Sequence, residues 1–253
     1  MTRPNVSPGT VTVFTDVMCG WSTLALHRFY EAREAAGLTG RLHVDLQLFL
    51  LEDLNRTALT TQMIEPEKPV INALAPELEF TQWQHDPYEW PVTSLPANEA
   101  VHAAKEQSFA AAEELDMALR LAFWRDSRCI SMRHEILDVA VRCKEVDVDR
   151  LREAFDSGQA RGPMMQSYFA HRDDVQGSPH FFLADGTDVA NPGIELHQEG
   201  EGGTEVPVVD DDEPGLRRPG PARGDCRRSR LASGAGWQNG LRGCGAVQSL
   251  AEW

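Results

Sequence analysis

The stretch Thr10-Val11-Thr12-Val13-Phe14-Thr15-Asp16-Val17-Met18-Cys19-Gly20-Trp21-Ser22 decides how the rest of the chain is read. Residues 10–16 alternate and are rich in β-branched side chains, which predicts a strand. A short loop follows, and beyond Cys19 the apolar residues Leu24, Leu26, Phe29, Tyr30 and Ala36 recur at roughly helical spacing until Gly37 supplies a stop. The order is strand, cysteine loop, helix. A second alternating run, Leu42 to Leu50, predicts a strand parallel to the first and hence a right-handed βαβ unit.

A cysteine in a strand-to-helix loop lies beside the unpaired N–H groups and the positive dipole end of the helix, an environment that favours thiolate over thiol. Such positions depress a thiol from about 8.5 to anywhere between ~3.5 and ~7.5. Cys19 is therefore the candidate nucleophile, and the ordinary alternative for a free cysteine is a small buried hydrophobe. Ser22 stands one helical turn on, either as a helix-start residue or as a hydrogen-bond donor to the thiolate. Trp21 is expected to shape the pocket.

Further along, residues 53–174 turn helical, punctuated by prolines from Pro66 to Pro96. One long helix is predicted from about Ala97 to Phe123, and others at 131–143, 148–157 and 163–171, with Ser131 and Asp147 as caps. Strand character returns at His180-Phe181-Phe182-Leu183, followed by an Asp185-Gly186 turn and a short run at 187–189, a hairpin. Gly177-Ser178-Pro179 precedes it. A proline opening a strand removes one ladder N–H, can adopt the cis form and exposes neighbouring backbone to an extended ligand. His180 is a candidate for facing the same site, although strand alternation favours its pointing away.

Together, residues 13–22, the helical insertion and Gly177-Ser178-Pro179-His180-Phe181-Phe182-Leu183 resemble the DsbA-like thioredoxin superfamily over roughly residues 10–213. That superfamily includes disulfide oxidoreductases, the FrnE-like subgroup, kappa-class glutathione transferases and 2-hydroxychromene-2-carboxylate isomerases. The resemblance implies an α/β thioredoxin-like fold with the helical insertion between its βαβ and ββα halves. It also implies that Cys19 is the nucleophilic cysteine of a C-x-x-C motif, and that Pro179 is the cis-proline facing it. Ser22 then occupies the position of the resolving cysteine, and Trp21, Ser178, Pro179 and His180 line the substrate side. One thiol can attack a disulfide but must await an outside thiol for release, so the expected activity is monothiol exchange. The alternatives are a thiol-dependent transferase or isomerase and a non-catalytic binding member.

Composition bounds the partners. The formal charge of −15 in 253 residues disfavours phosphate backbones, which sets nucleic acid aside. No run is long and apolar enough to span a membrane, and Met1-Thr2-Arg3-Pro4-Asn5 lacks a signal-like apolar core. The expected setting is cytoplasmic, with a disulfide-bearing protein or a small thiol compound as substrate. No tightly bound cofactor is expected, and glutathione or another low-molecular-weight thiol is the candidate co-substrate. The five cysteines form no C-x-x-C pair, the histidines show no H-x-x-x-H spacing, no metal site is expected, and Cys129 and Cys143 are expected to be packing residues. The expected organisation is an N-terminal extension over residues 1–9, a domain over 10–213 and an atypical tail. That tail, 214–253, carries seven arginines against Asp225 and Glu252. It is expected to be disordered or frame-shifted relative to the closing helix that Val206–Pro214 should introduce, with Asp210–Glu213 as a solvated helix start.

Overall fold

The computed structural model describes residues 3–193, 196–198 and 207–209. Residues 1–191 form one compact unit and 192–253 a second. In the first, β1 (Thr10–Thr15), α1 (Gly20–Ala35) and β2 (His43–Leu48) make the expected parallel βαβ unit, with Thr10 opposite His43 and Thr15 opposite Leu48. The hairpin of β3 (His180–Phe182) and β4 (Asp188–Ala190) completes a sheet of order β2-β1-β3-β4, in which β3 runs antiparallel to β1 with Val13 opposite Phe181.

The central position of β1 explains its sequence. Flanked by β2 and β3 and covered on both faces, all six of its residues are buried, so threonines serve where polar residues would stand on a half-exposed strand. Phe14 packs with Phe49, Val175 and Phe182, its ring edge-on to Phe182 at 5.6 Å. β2 alternates instead: Val44, Leu46 and Leu48 are buried while Asp45 and Gln47 reach the margin, where Lys105 Nζ donates to Asp45 at 2.8 Å.

Between β2 and β3 come α2 (Leu51–Asn55), α3 (Thr61–Ile64), α4 (Lys68–Leu74), α5 (Leu95–Lys105), α6 (Phe109–Trp124), α7 (Arg133–Ala140), α8 (Val148–Ser157) and α9 (Arg161–His171). The single helix predicted over 97–123 is two. Ser108 turns extended (φ −168°, ψ 161°) and its hydroxyl accepts from the Ala111 amide at 3.0 Å, starting α6 afresh so that it folds back onto α5. Asp147 caps α8 as expected, accepting from the amides of Asp149 and Arg150. Ser131 does not cap α7: its hydroxyl donates to the Thr93 carbonyl at 2.6 Å and accepts the Thr93 amide at 3.1 Å, pinning the approach to α5 instead.

In the second unit, β5 (Leu196–Gln198) pairs antiparallel with β6 (Pro207–Val209), a strand where the sequence suggests the approach to a helix. The acidic run 210–213 and the tail 214–253, with Cys226 and Cys244, lie outside the described residues.

Candidate active site

Cys19 is the N-cap residue of α1. Its backbone is extended (φ −87°, ψ 114°) and its sulfur accepts the Ser22 amide at 3.4 Å. A side chain in this position meets the unpaired amides of the first turn, as the sequence predicts. Facing it is the Ser178–Pro179 peptide, which is cis. The Cys19 thiol donates to the Ser178 carbonyl at 3.2 Å, across 159 residues of sequence. Cys19, Ser22 and Ser178 thus meet at one place with the cis-linked Pro179 beside them, all of them buried, and Trp21 is buried in the same first turn of α1.

Ser22 does more than start the helix. Its Oγ lies 2.7 Å from Ser178 Oγ, and its hydroxyl also hydrogen-bonds the Cys19 sulfur. Ser178 Oγ also accepts the Asp16 amide at 3.1 Å, so either hydroxyl of the pair can turn its proton to the sulfur while the other bridges. The result is a buried cluster of donors, the Ser22 amide and the linked Ser22 and Ser178 hydroxyls, gathered where negative charge appears when the thiol ionises.

At rest, however, the thiol is held protonated. The sequence predicts a lowered pKa; in the structure burial pushes the Cys19 thiol up, the neighbouring Glu67 carboxylate pushes it further, and the hydrogen bonds from Ser178 and Ser22 offset only part of this. Only 6% of the residue is exposed, so the helix N-terminus acts on a sulfur stripped of solvent. The Ser178 carbonyl, an acceptor, also favours S–H over a thiolate. Cys143, buried in packing, has its thiol pushed up to about 11 with no donor to offset it, and Cys129 is also raised by burial, offset in part by the Ser131 and Met132 amides; neither they nor Cys19 is disulfide-bonded.

Two buried ionic groups that the sequence reading passed over hold the loop in shape. The Asp16 carboxylate accepts from the amides of Met18 (3.0 Å) and Leu51 (3.1 Å), from Ser94 Oγ (2.9 Å) and from Asn98 Nδ2 (3.2 Å). It joins the cysteine loop to the starts of α2 and α5. Arg120, fully buried on α6, pairs with Asp116 at 2.7 Å and donates to the Asp16 carbonyl and Thr15 Oγ1, each at 2.9 Å, with weaker reach to Thr23 Oγ1 and the Cys19 carbonyl. A signal existed: Asp116 and Arg120 are an i,i+4 charged pair beside the apolar stripe of Leu115 and Leu119.

His180 is not part of the site. Its Nδ1 accepts the Gln176 amide at 3.1 Å, and its Nε2 donates to Asp188 at 3.1 Å. Burial, with a smaller effect from Arg3, lowers its pKa to about 4, so it is a neutral structural histidine. This corrects its candidacy for the substrate side and matches the alternation argument. Midway along α1, His27 Nε2 lies 3.1 Å from Glu77 and 3.7 Å from Glu31, a surface cluster that sequence spacing did not reveal because Glu77 is remote in the chain.

No curated protein sequence matches the chain. Among solved structures the fold is similar to the cytosolic disulfide reductase DsbM from Pseudomonas aeruginosa, at 19% identity and a TM-score of 0.53, covering 72% of this chain and 89% of that one. The same protein with glutathione bound gives 0.51, over 70% and 86% of the two chains at 19% identity. A 2-hydroxychromene-2-carboxylate isomerase gives 0.52 at 16% identity, over 70% of this chain and 86% of its own. Residues 10–198 match the model of the DSBA-like thioredoxin domain, so the strand, cysteine loop, helix and cis-proline hairpin described above are those of a member of that family, to which this chain belongs.

Proposed function

We propose that the protein is a thiol–disulfide oxidoreductase that works through Cys19 alone. The observation that carries this reading is the meeting of the Cys19 sulfur with the Ser178 carbonyl of the cis peptide at 3.2 Å, while Ser22 stands where a second sulfur would be. Approach of an extended disulfide substrate displaces the S–H···O bond, frees the Ser178 carbonyl to pair with substrate backbone and lets sulfur ionise against the Ser22 donors. The thiolate attacks the disulfide, one substrate thiolate leaves, and Cys19 is held as a mixed disulfide. Ser22 cannot resolve it. A low-molecular-weight thiol does, and glutathione is the candidate because a structure of similar fold, DsbM, holds it. A reducing compartment such as the cytoplasm supplies that thiol, and the fold's likeness to a cytosolic reductase fits. No helix among the described residues is long and apolar enough to cross a membrane.

A second reading has one observation in its favour. A buried thiol held protonated can serve as a hydrogen-bond donor to the sulfur of a bound thiol cofactor, as a transferase or isomerase requires. The two separate on a single comparison, turnover of a glutathionylated peptide by reduced glutathione in wild type and Cys19→Ser. Exchange predicts complete loss in the variant; turnover that survives it contradicts the exchange reading.

A further inference from the structure

Away from the cysteine, one set of side chains is spaced as the ligands of a single ion are. His27 and Glu31 stand four residues apart on α1, so both project from one face of that helix. Glu77, 50 positions from His27, reaches the same place from the 3-10 turn Pro76–Leu78 that follows α4. His27 Nε2 lies 3.1 Å from Glu77 Oε1 and 3.7 Å from Glu31 Oε2, and one ligand atom from each of the three residues falls within 4.8 Å of the other two. The imidazole is half-buried, and the two carboxylates are exposed.

The turn that brings Glu77 is fixed by its own backbone. As α4 ends, the Ala75 amide donates to the Ile71 carbonyl at 2.8 Å, and the Glu79 amide closes the turn onto the Pro76 carbonyl at 3.1 Å. The Asn72 side chain brackets the segment, donating to the Phe80 carbonyl at 2.7 Å and accepting the Phe80 amide at 2.9 Å. Leu78, next to Glu77, is buried. Glu77 therefore meets α1 from a backbone already in position, and a ligand shared between them has only side chains left to order.

We propose that His27, Glu31 and Glu77 bind a divalent first-row metal ion, zinc foremost, which clamps the insertion to α1. With metal–ligand distances of about 2.0–2.2 Å, two ligands of one ion stand roughly 3.0–3.5 Å apart, close to both separations measured at His27. Rotation of the exposed glutamate side chains closes the remaining gap between the carboxylates. A proton on Nε2 is a single donor shared between two acids, whereas a dication attracts both carboxylates and takes the Nε2 lone pair as well. One imidazole with two carboxylates is a nitrogen and oxygen set that suits zinc and its neighbours, unlike the all-oxygen sets of calcium and magnesium. The solvent side is left to water. The clamp would brace the helix that presents Cys19. His27 lies eight residues on, about 12 Å along α1, and Phe80, at the end of the bracketed segment, stacks at 4.7 Å on Trp124, whose ring stands 3.2 Å from where a Cβ on Gly20 would be. The inference is independent of the exchange reading.

The test titrates the full chain, stripped with a chelator and kept reduced, with zinc by calorimetry and with cobalt by visible absorption. Wild type should take up one equivalent of zinc at this site and unfold at a higher temperature with it. Cobalt should give the d–d bands of nitrogen and oxygen ligands without a sulfur-to-cobalt charge-transfer band, and Cys19→Ser should bind zinc as wild type does. Glu77→Gln, an exposed and nearly isosteric change, should weaken zinc binding at least about tenfold, and His27→Ala should abolish it. No zinc uptake by wild type, a sulfur band with cobalt, or zinc held equally well by His27→Ala would each overturn the proposal. Should His27→Ala not fold, Glu77→Gln decides alone, and an unchanged affinity in it overturns the site.

Discussion

Under the proposed exchange Ser22 is the residue that sets the chemistry apart from a dithiol enzyme, and it acts in two directions at once. Its amide and hydroxyl both reach the Cys19 sulfur, and its Oγ is 2.7 Å from Ser178. Removing the hydroxyl leaves the Ser178 proton with no acceptor there and takes a donor from the thiolate. A hydrogen bond to a charged group is worth about 1.5–3 kcal/mol, so Ser22→Ala should slow alkylation of Cys19 at neutral pH about tenfold or more, read as an upward shift of its pH profile. The sequence made Cys19, Ser22 and Pro179 legible because each occupies a chemically restrictive position: a helix start, one turn beyond it, and the head of a strand. It did not reveal that the thiol is protonated at rest. That depends on burial and on Glu67, 48 positions away, and no local pattern reports either.

At the scale of elements, α6 is tied to β1, the cysteine loop and α1 by the buried Arg120, whose charge is balanced by Asp116 one turn back on the same helix, rather than by apolar packing alone. Arg120 reaches across from α6 to Asp16, Thr15 and Thr23, so the loop that presents Cys19 is hung from a helix of the insertion. Breaking such a pair from one side leaves an uncompensated buried charge, at a typical cost of about 3–5 kcal/mol. Arg120→Met should therefore destabilise strongly in urea unfolding, whereas the double replacement Asp116→Leu with Arg120→Met should recover most of the loss. A double variant as unstable as the single one would mean that the arginine's bonds to the loop, not the charge balance, carry the stability. The strands and the hairpin were readable from alternation and the Asp185-Gly186 turn. The division of α5 from α6 was not, because the apolar stripe runs through Ser108 and only the cap geometry interrupts it.

Across the whole folded unit, a buried acid beside the cysteine loop makes stability depend on pH. Glu67 is near 4.5 when unfolded and about 7 when folded, so the native state holds its proton more tightly than the unfolded chain. Its contribution to stability is complete below about pH 4.5 and is lost as pH rises through 7. Relative to Glu67→Gln, the wild type should lose stability across that interval, on the order of 3 kcal/mol at most by one pKa unit per 1.36 kcal/mol. His180 runs the other way: its pKa is lowered to about 4, so its contribution is present above about 6.5 and fades on acidification. Taking the difference between the two proteins isolates Glu67 from this opposing slope. Urea unfolding from pH 4 to 8 reads it, and parallel curves would contradict the burial assigned to Glu67.

Residues separated by most of the sequence converge on the cysteine loop: Asp16 and Ser22 from the first βαβ unit, Glu67 and Arg120 from the insertion, Ser178 from the hairpin. The most direct test of what they build is to quench the reaction with a glutathionylated peptide at early times and map the trapped enzyme by peptide mass. A single mixed disulfide on Cys19, formed before turnover and released only when reduced glutathione is added, is the predicted result. A disulfide on Cys129 or Cys143, or turnover with Cys19 unmodified throughout, would contradict the account.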